Sequence, residues 1–163
     1  MPIQFHIVRH GQTEWNASGR IQGHADSPLN DIGVAEARKA GRSLASIPFV
    51  AAWVSPLGRT MQTADLILEG RSDVARHEHD LLKEITLGVW DGRAWADVRM
   101  EDPVNTRRLM QASPDIDVEG AESHQQVAAR AREGLNTIAA HHVDALASDA
   151  VTDILVVSHG AWI

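Results

Sequence analysis

The residues of this chain best suited to chemistry stand at the ends of apolar runs. In FHIVRHGQTEWN (5–16), Arg9, His10 and Gly11 directly follow Phe5–Val8. In DILVVSHG (153–160), His159 and Gly160 close a second apolar run. A third run, AAWVS (51–55), leads into PLGRT, which delivers Arg59. Two arginines and two histidines together make an anion site. Guanidinium groups match phosphate geometry in a bidentate way and keep their charge at any relevant pH. A carboxylate substrate also fits two arginines. The histidine pair favours phosphate, because imidazole can accept a phosphoryl group as a nucleophile. Phosphoryl transfer depends above all on in-line positioning and charge neutralisation. The sequence has no Walker loop, no Asp-rich metal cluster and no cysteine, so a histidine nucleophile is the economical choice. The leaving oxygen then needs a proton, and Glu84 in KEITLGVWDG (83–92) is the candidate general acid.

Short β-rich runs alternate with helical stretches, which predicts an α/β fold. The expected architecture is three-layer α/β/α around a mostly parallel central sheet. Ile3–Arg9 reads as the first strand. Asn30 is a plausible N-cap for a helix reaching about Ser46, with Val34, Ala37, Gly41 and Leu44 on one face and Pro48 as a stop. Ala51–Ser55 reads as a strand. Leu57, Met61, Ala64 and Leu68 mark a helix that Gly70 ends, and 74–79 reads as a third strand. The stretch 87–117 reads as loops with short helices between Trp95 and Met110. A long helix is expected over 123–146, with Val127, Ala131, Leu135 and Ile138 facing in. The continuous apolar run 153–158 is the expected central strand, covered on both faces. Ligands in open α/β sheets bind at the carboxyl ends of strands. Helix N-termini that follow those ends add backbone N–H donors. Arg9, His10, Arg59 and His159 therefore converge.

The chain has 163 residues, enough for one domain with a real core. A formal charge of −7 argues against a broad basic face for nucleic acid, without excluding a locally positive pocket. No apolar run has the length of a membrane helix. With no cysteine, disulfides and thiolate metal sites are excluded. MPIQFHIVRH has no basic n-region, so a cytoplasmic location is the expectation. In RHEHD (76–80), His77 and His79 raise a metal reading, but no second ligand cluster stands at a diagnostic spacing. A solvated strand edge is the expectation there. His141 and His142 are expected as ordinary helix residues on different faces. Trp53, Trp90, Trp95 and Trp162 are expected to pack, with Trp90 or Trp95 at a pocket rim.

Six segments in order, VRHGQTEWN (8–16), IQGHADSPLNDIG (21–33), SPLGRTMQTA (55–64), LLKEITLGVWDG (81–92), EGAES (119–123) and VVSHG (156–160), resemble the histidine phosphatase superfamily, also called the phosphoglycerate mutase-like family. A lone RHG is a weak signal; six segments spanning nearly the whole chain are a strong one. The resemblance implies that His10 becomes a phosphohistidine. Arg9, Arg59 and His159 would clamp the phosphoryl oxygens. Glu84 would protonate the leaving group and then activate water. Asn16, Gln22, Gly23 and Gly160 would touch the phosphate or the rest of a small phosphorylated substrate, although Gly23 also suits a simple turn. No metal or other cofactor is implied.

The resemblance covers hydrolases and mutases alike. Phosphoglycerate mutases usually carry Glu-Arg-His-Tyr-Gly at the acid and a Lys shortly after. Here Leu87 stands where the Tyr would be, and Trp95 at about the place of the Lys. The stretch from Glu84 to His159 is also short for a substrate-capping insertion. Arg107 and Arg108 resemble a basic pair of that insertion and are the one point on the mutase side. The balance favours a metal-independent phosphatase, with a 2,3-bisphosphoglycerate-dependent mutase as runner-up and an inactive phosphate-binding module as a third reading. The chain ends at Ala161-Trp162-Ile163, whereas the resemblance implies a further helix and strand. A natural mass above 17.8 kDa is therefore expected. Without that helix, exposed apolar sheet surface would make a homodimer conceivable.

Overall fold

The run that reads as a central strand is one. A computed structural model of the protein describes residues 2–142 and 151–163. Among these, four strands form one parallel sheet: β1 (Ile3–Arg9), β2 (Ala51–Val54), β3 (Ala75–Glu78) and β4 (Thr152–Ser158). The strand order is β1-β4-β2-β3. Along β4, Ile154 and Val156 pack into one core while Leu155 and Val157 pack into the other. Ala51 and Trp53 of β2 join the first core, and Ala52 and Val54 the second. This period-two division, with both faces apolar, is why the run shows no polar alternation. Each fully buried branched side chain contributes about 1.5–3 kcal/mol.

Six helices are described: α1 (Glu14–Ala17), α2 (Asp31–Ser43), α3 (Gly58–Ile67), α4 (Trp95–Glu101), α5 (Pro103–Met110) and α6 (His124–His141). From β1 to β2 to β3 the chain moves one way across the sheet, then returns to β4. Right-handed crossovers put the connections for the two directions on opposite faces. Accordingly α3 packs through Ala64 and Ile67 on the Val157 face, with Ala40 and Leu44 of the α2 segment against the same core. α6 packs through Val127 and Ile138 on the Val156 face. The result is the α/β/α sandwich with a parallel sheet.

Local signals set most boundaries. Asn30 caps α2, its side chain accepting from the Gly33 N–H. That helix ends at Ser43, a turn before the expected Ser46, and α6 starts at His124 with Ser123 as its cap, where the long helix was expected to begin. The third strand is shorter than 74–79, and the predicted extension of α6 beyond His142 lies outside the described residues. α1 falls in a stretch read only as polar. Thr13 caps it, accepting from the Asn16 N–H, while the Asn16 side chain accepts from the Thr13 N–H. Four residues, one turn closed by a reciprocal cap, leave no periodicity to detect.

β3 lies at the sheet edge, with Arg76, Glu78 and Asp80 exposed as expected, but His77 is drawn inward, and the separate-face expectation for His141 and His142 is corrected. The β2–β3 register sets His77 opposite Trp53, and their rings stack at 4.6 Å. His141 meets the same indole edge-on, and His142 Nε2 accepts from Trp53 Nε1 at 3.1 Å. One indole thus collects side chains that the sequence keeps far apart.

Candidate active site

β1 and β4 run in register, with Arg9 opposite Ser158, and Val54 of β2 pairs with Val157. Three adjacent strands therefore end at one level. His10, His159 and the β2–α3 turn leave from that level. The rings of His10 and His159 lie 5.2 Å apart between centroids. His10, Glu84 and His159 each place a ligand atom within 4.8 Å of the others. A cleft of about 330 Å³ opens over this point, lined by Arg9, His10, Asn16, Gln22, Gly23, Glu84 and Gly160 among others. Its outer wall includes Ile85, Leu87 and Trp95, with Arg20 at the side. Trp95 is thus the tryptophan of the rim. Trp90 is buried in the core, and Trp162 packs there too, donating from Nε1 to the Leu81 carbonyl.

His10 Nδ1 lies 2.8 Å from the carbonyl oxygen of Gly11. A carbonyl only accepts, so Nδ1 carries the hydrogen and Nε2 keeps its lone pair. The turn that allows this is tight. A Cβ on Gly11 would stand 2.4 Å from the carbonyl oxygen of Gly33, and one on Gly33 would stand 2.1 Å from that of Gln12. Two glycines back to back bring α2 against the His10 loop. Burial pushes His10 down to about 4, with Arg59 and Arg9 adding to the drop and the Gly11 carbonyl and Asp26 opposing it. At neutral pH the ring is uncharged.

His159 is fully buried, with Nε2 2.8 Å from Ser55 Oγ and Nδ1 without a partner. Burial first, and then Arg59, holds it well below the usual histidine range. Arg59 is fully buried as well. Nη1 donates to the Ala25 carbonyl at 2.9 Å and to Asp26 at 3.0 Å, Nη2 donates to the Gly23 carbonyl at 2.8 Å, and Nε has no partner. Burial lowers Arg59 from its ordinary value, and Asp26 opposes that. Buried polar atoms are normally satisfied. Two orphaned nitrogens, on Arg59 and His159, mark a place that suits a polar ligand.

Glu84 Oε1 accepts from the backbone N–H of Ile85 at 3.0 Å and of Ala161 at 3.2 Å. Both anchors fall on one oxygen, which leaves Oε2 to carry a proton. Burial, as the largest influence, raises Glu84 above its ordinary range. Arg130 fixes this loop, donating to the carbonyls of Leu81, Lys83 and Glu84 and pairing with Glu122. Arg9 is exposed, and a Cβ on Gly160 would lie 3.4 Å from its Nε.

Among the binding candidates, Asn16 spends its carbonyl oxygen on the Thr13 N–H, and Gln22 Oε1 lies 2.9 Å from the hydroxyl of fully buried Thr13. Both amides thus keep N–H groups for the cleft. Gly23 has φ +50, and a Cβ there would meet Asp91 Oδ1 at 1.9 Å. The turn and the carbonyl bond to Arg59 both need it. All nine site residues singled out in the sequence are brought together. Thr13, Ser55, Asp26, Asp91 and Arg130 were not singled out. Asp26, Asp91 and Ser55 lie inside the quoted segments, but nothing local marks a polar residue whose partner is remote.

Known proteins share the sequence pattern and the fold. The family model of the histidine phosphatase superfamily, branch 1, matches residues 5–163. The chain belongs to that superfamily. A probable phosphoglycerate mutase GpmB of Proteus mirabilis is 35% identical over 159 residues, covering 97% of this chain and 70% of its own. Among solved structures of this superfamily fold, YhfR of Bacillus stearothermophilus aligns with a TM-score of 0.88 at 30% identity, over 97% of this chain and 74% of that one. A mycobacterial glucosyl-3-phosphoglycerate phosphatase, solved with VO3, aligns at 0.81 and 28% identity, over 96% of this chain and 74% of that one. Histidine phosphatase superfamily members of these kinds are enzymes, as the chain is.

The buried histidines make stability depend on acid. Below pH 6.5 an unfolded chain takes up a proton that folded His10 refuses until about pH 4. Stability is therefore lost as pH falls through that window, by on the order of 3 kcal/mol for His10, and His159 extends the loss downward. Glu84 works in the opposite sense, since its raised value favours the folded state as it protonates. Urea melts at pH 7 and pH 4.5 are expected to show a net loss, reduced in His10→Asn. An equal slope in the variant would rule His10 out as its source.

Proposed function

We propose that the protein is a phosphomonoesterase for small phosphorylated metabolites, working without a metal through a phosphohistidine on His10. Nε2 of His10 attacks phosphorus as the bond to the substrate alcohol breaks, and the alcohol takes the proton from Oε2 of Glu84. Arg9, Arg59 and neutral His159 hold the phosphoryl oxygens, and the free N–H groups of Asn16 and Gln22 add donors. Glu84, now a carboxylate, takes a proton from water as the water attacks the phosphohistidine. Inorganic phosphate leaves and both residues return to their first state. The observation that carries this reading is an uncharged His10 with its Nε2 free, beside His159, in a site where Arg59 Nε and His159 Nδ1 lack partners and burial raises the Glu84 carboxyl.

Hydrolysis rather than transfer is supported by the apolar wall of Ile85, Leu87 and Trp95. Arg107 and Arg108 lie on α5 and do not line the cleft, so the basic pair that favoured a mutase gives it no support. The mutase reading retains Arg20 beside the cleft and the name of the Proteus mirabilis relative. A cytoplasmic location goes with a metabolite substrate; no helix among the described residues is long and apolar enough to cross a membrane. The test follows phosphorus by NMR in excess chelator with aryl phosphate, sugar phosphates and 3-phosphoglycerate, the last with and without 2,3-bisphosphoglycerate. Inorganic phosphate is expected to accumulate. Conversion of 3- to 2-phosphoglycerate without release would establish the mutase instead. Vanadate binding with no turnover would leave a binding module.

A further inference from the structure

α3 starts at Gly58 with Leu57 in its N-cap position, and leucine has no side-chain acceptor to offer. The acceptor comes from elsewhere. Asp26, 33 residues before Arg59, accepts through Oδ1 from the Arg59 backbone N–H at 3.3 Å and from Nη1 of the same residue at 3.0 Å. One carboxylate oxygen therefore holds the main chain and the side chain of a single arginine. The approach is close: a Cβ on Gly58 would stand 2.2 Å from Asp26 Oδ2. The same loop adds the carbonyls of Ala25 and Gly23. The Asp26 side chain is 41% exposed while that of Arg59 is fully buried, so the carboxylate is reached from the surface and aimed inward. After these bonds Arg59 keeps the Nε–H and one of the two Nη2 hydrogens.

We propose that Asp26 is a positioning residue for phosphoryl chemistry: by capping α3 from a distant loop and gripping Nη1, it fixes the guanidinium plane so that the remaining N–H groups meet the phosphoryl oxygens. The proposal rests on the phosphatase reading for its kinetic form and on the anion site alone for its binding form. A cap that only stabilised α3 would change the melting temperature and leave the chemistry of the folded protein alone. A positioning residue changes the chemistry, and Asp26→Asn, which keeps an acceptor oxygen at the same place, restores it.

The test uses Asp26→Ala, Asp26→Asn, Arg59→Ala and the double variant Asp26→Ala/Arg59→Ala, with thermal melts to certify folding at the assay temperature. Asp26→Ala is expected to lower kcat/KM for an aryl phosphate about 10–100-fold, as loss of an orienting partner does. Asp26→Asn recovers most of it. The double variant is no slower than Arg59→Ala, because the aspartate acts through that arginine. Losses that multiply, or a folded Asp26→Ala with unchanged kcat/KM, overturn the proposal. The pH profile follows the charge of Asp26 separately from its orienting role. His10 is faced by Arg9, Arg59, Glu84, His159 and Asp26, and of these Asp26 favours its charged form, so Asp26→Asn moves the acid limb of kcat/KM to lower pH. If the wild-type protein releases no phosphate, orthovanadate binding by calorimetry decides. Binding weakened tenfold or more in Asp26→Ala and kept in Asp26→Asn upholds the positioning role while the phosphatase reading fails; equal binding in all three overturns it.

Discussion

Replacing His10 by alanine is expected to reduce phosphate release from an aryl phosphate by about 10⁴-fold or more, the scale on which loss of a nucleophile registers. The side chain is prepared for one task. Its Nδ1–H is committed to the Gly11 carbonyl, its Nε2 is free, and its burial keeps it uncharged down to about pH 4. No other described side chain at the site offers an equivalent nucleophile, because His159 has its Nε2 on Ser55 and lies deeper. Stopping a wild-type turnover with alkali and with acid should reveal a phosphoryl label that survives the first and is lost in the second, as an imidazole–phosphorus bond requires. Retention of turnover within tenfold in His10→Ala, or a label that survives acid, would remove His10 from the mechanism. Excess chelator is expected to leave the wild-type rate unchanged. A rate lost to chelator and restored by a divalent cation would instead assign His10, Glu84 and His159 as ligands, for which their donor atoms lie close enough.

Glu84→Gln is the second large effect, and it should depend on the leaving group. Glutamine keeps a carbonyl oxygen for the Ile85 and Ala161 N–H groups, so the loop stays in place. What it removes is the transferable proton. With an alkyl phosphate the first step is expected to slow by about 10²–10⁴-fold, the range for general acid catalysis. With a nitrophenyl phosphate, whose leaving group needs no proton, that step should change little, and a burst of nitrophenol should precede slow turnover, because hydrolysis of the phosphohistidine has lost its base. The pH profile gives the sign. The proposed mechanism requires His10 unprotonated and Glu84 protonated, so kcat/KM is expected to rise through about pH 4 and to fall above the raised value of Glu84. In Glu84→Gln the alkaline limb should vanish. Equal losses for both leaving groups would make Glu84 an electrostatic or structural element and not the acid.

The contrast between legible and hidden parts follows interaction range. DILVVS could be read as a doubly covered strand because its burial is written in consecutive residues. Asn30 could be read as a cap because its partner lies three residues away. The short helix α1 could not, and the roles of Thr13 and Asn16 in closing it became visible only with the backbone in place. His77 and His141 looked unremarkable until the β2–β3 register and the end of α6 brought both to Trp53. Arg130 carried no mark, since the carbonyls it holds are 46 to 49 residues away.

What the sequence determined alone was the fold class and the candidate site: apolar runs that must be buried in a sheet, and charged or imidazole side chains gathered at their ends. Alternation and strand-end position are local, so they survive in one dimension. The tertiary structure decided the state of those groups. Which nitrogen of His10 is free, which oxygen of Glu84 is tied, which N–H of Arg59 is left over and how far burial moves each proton all depend on partners such as Gly11, Ala161 and Asp26, and on the water excluded around them. Desolvation and hydrogen-bond direction are properties of a three-dimensional neighbourhood, and only the folded chain has one.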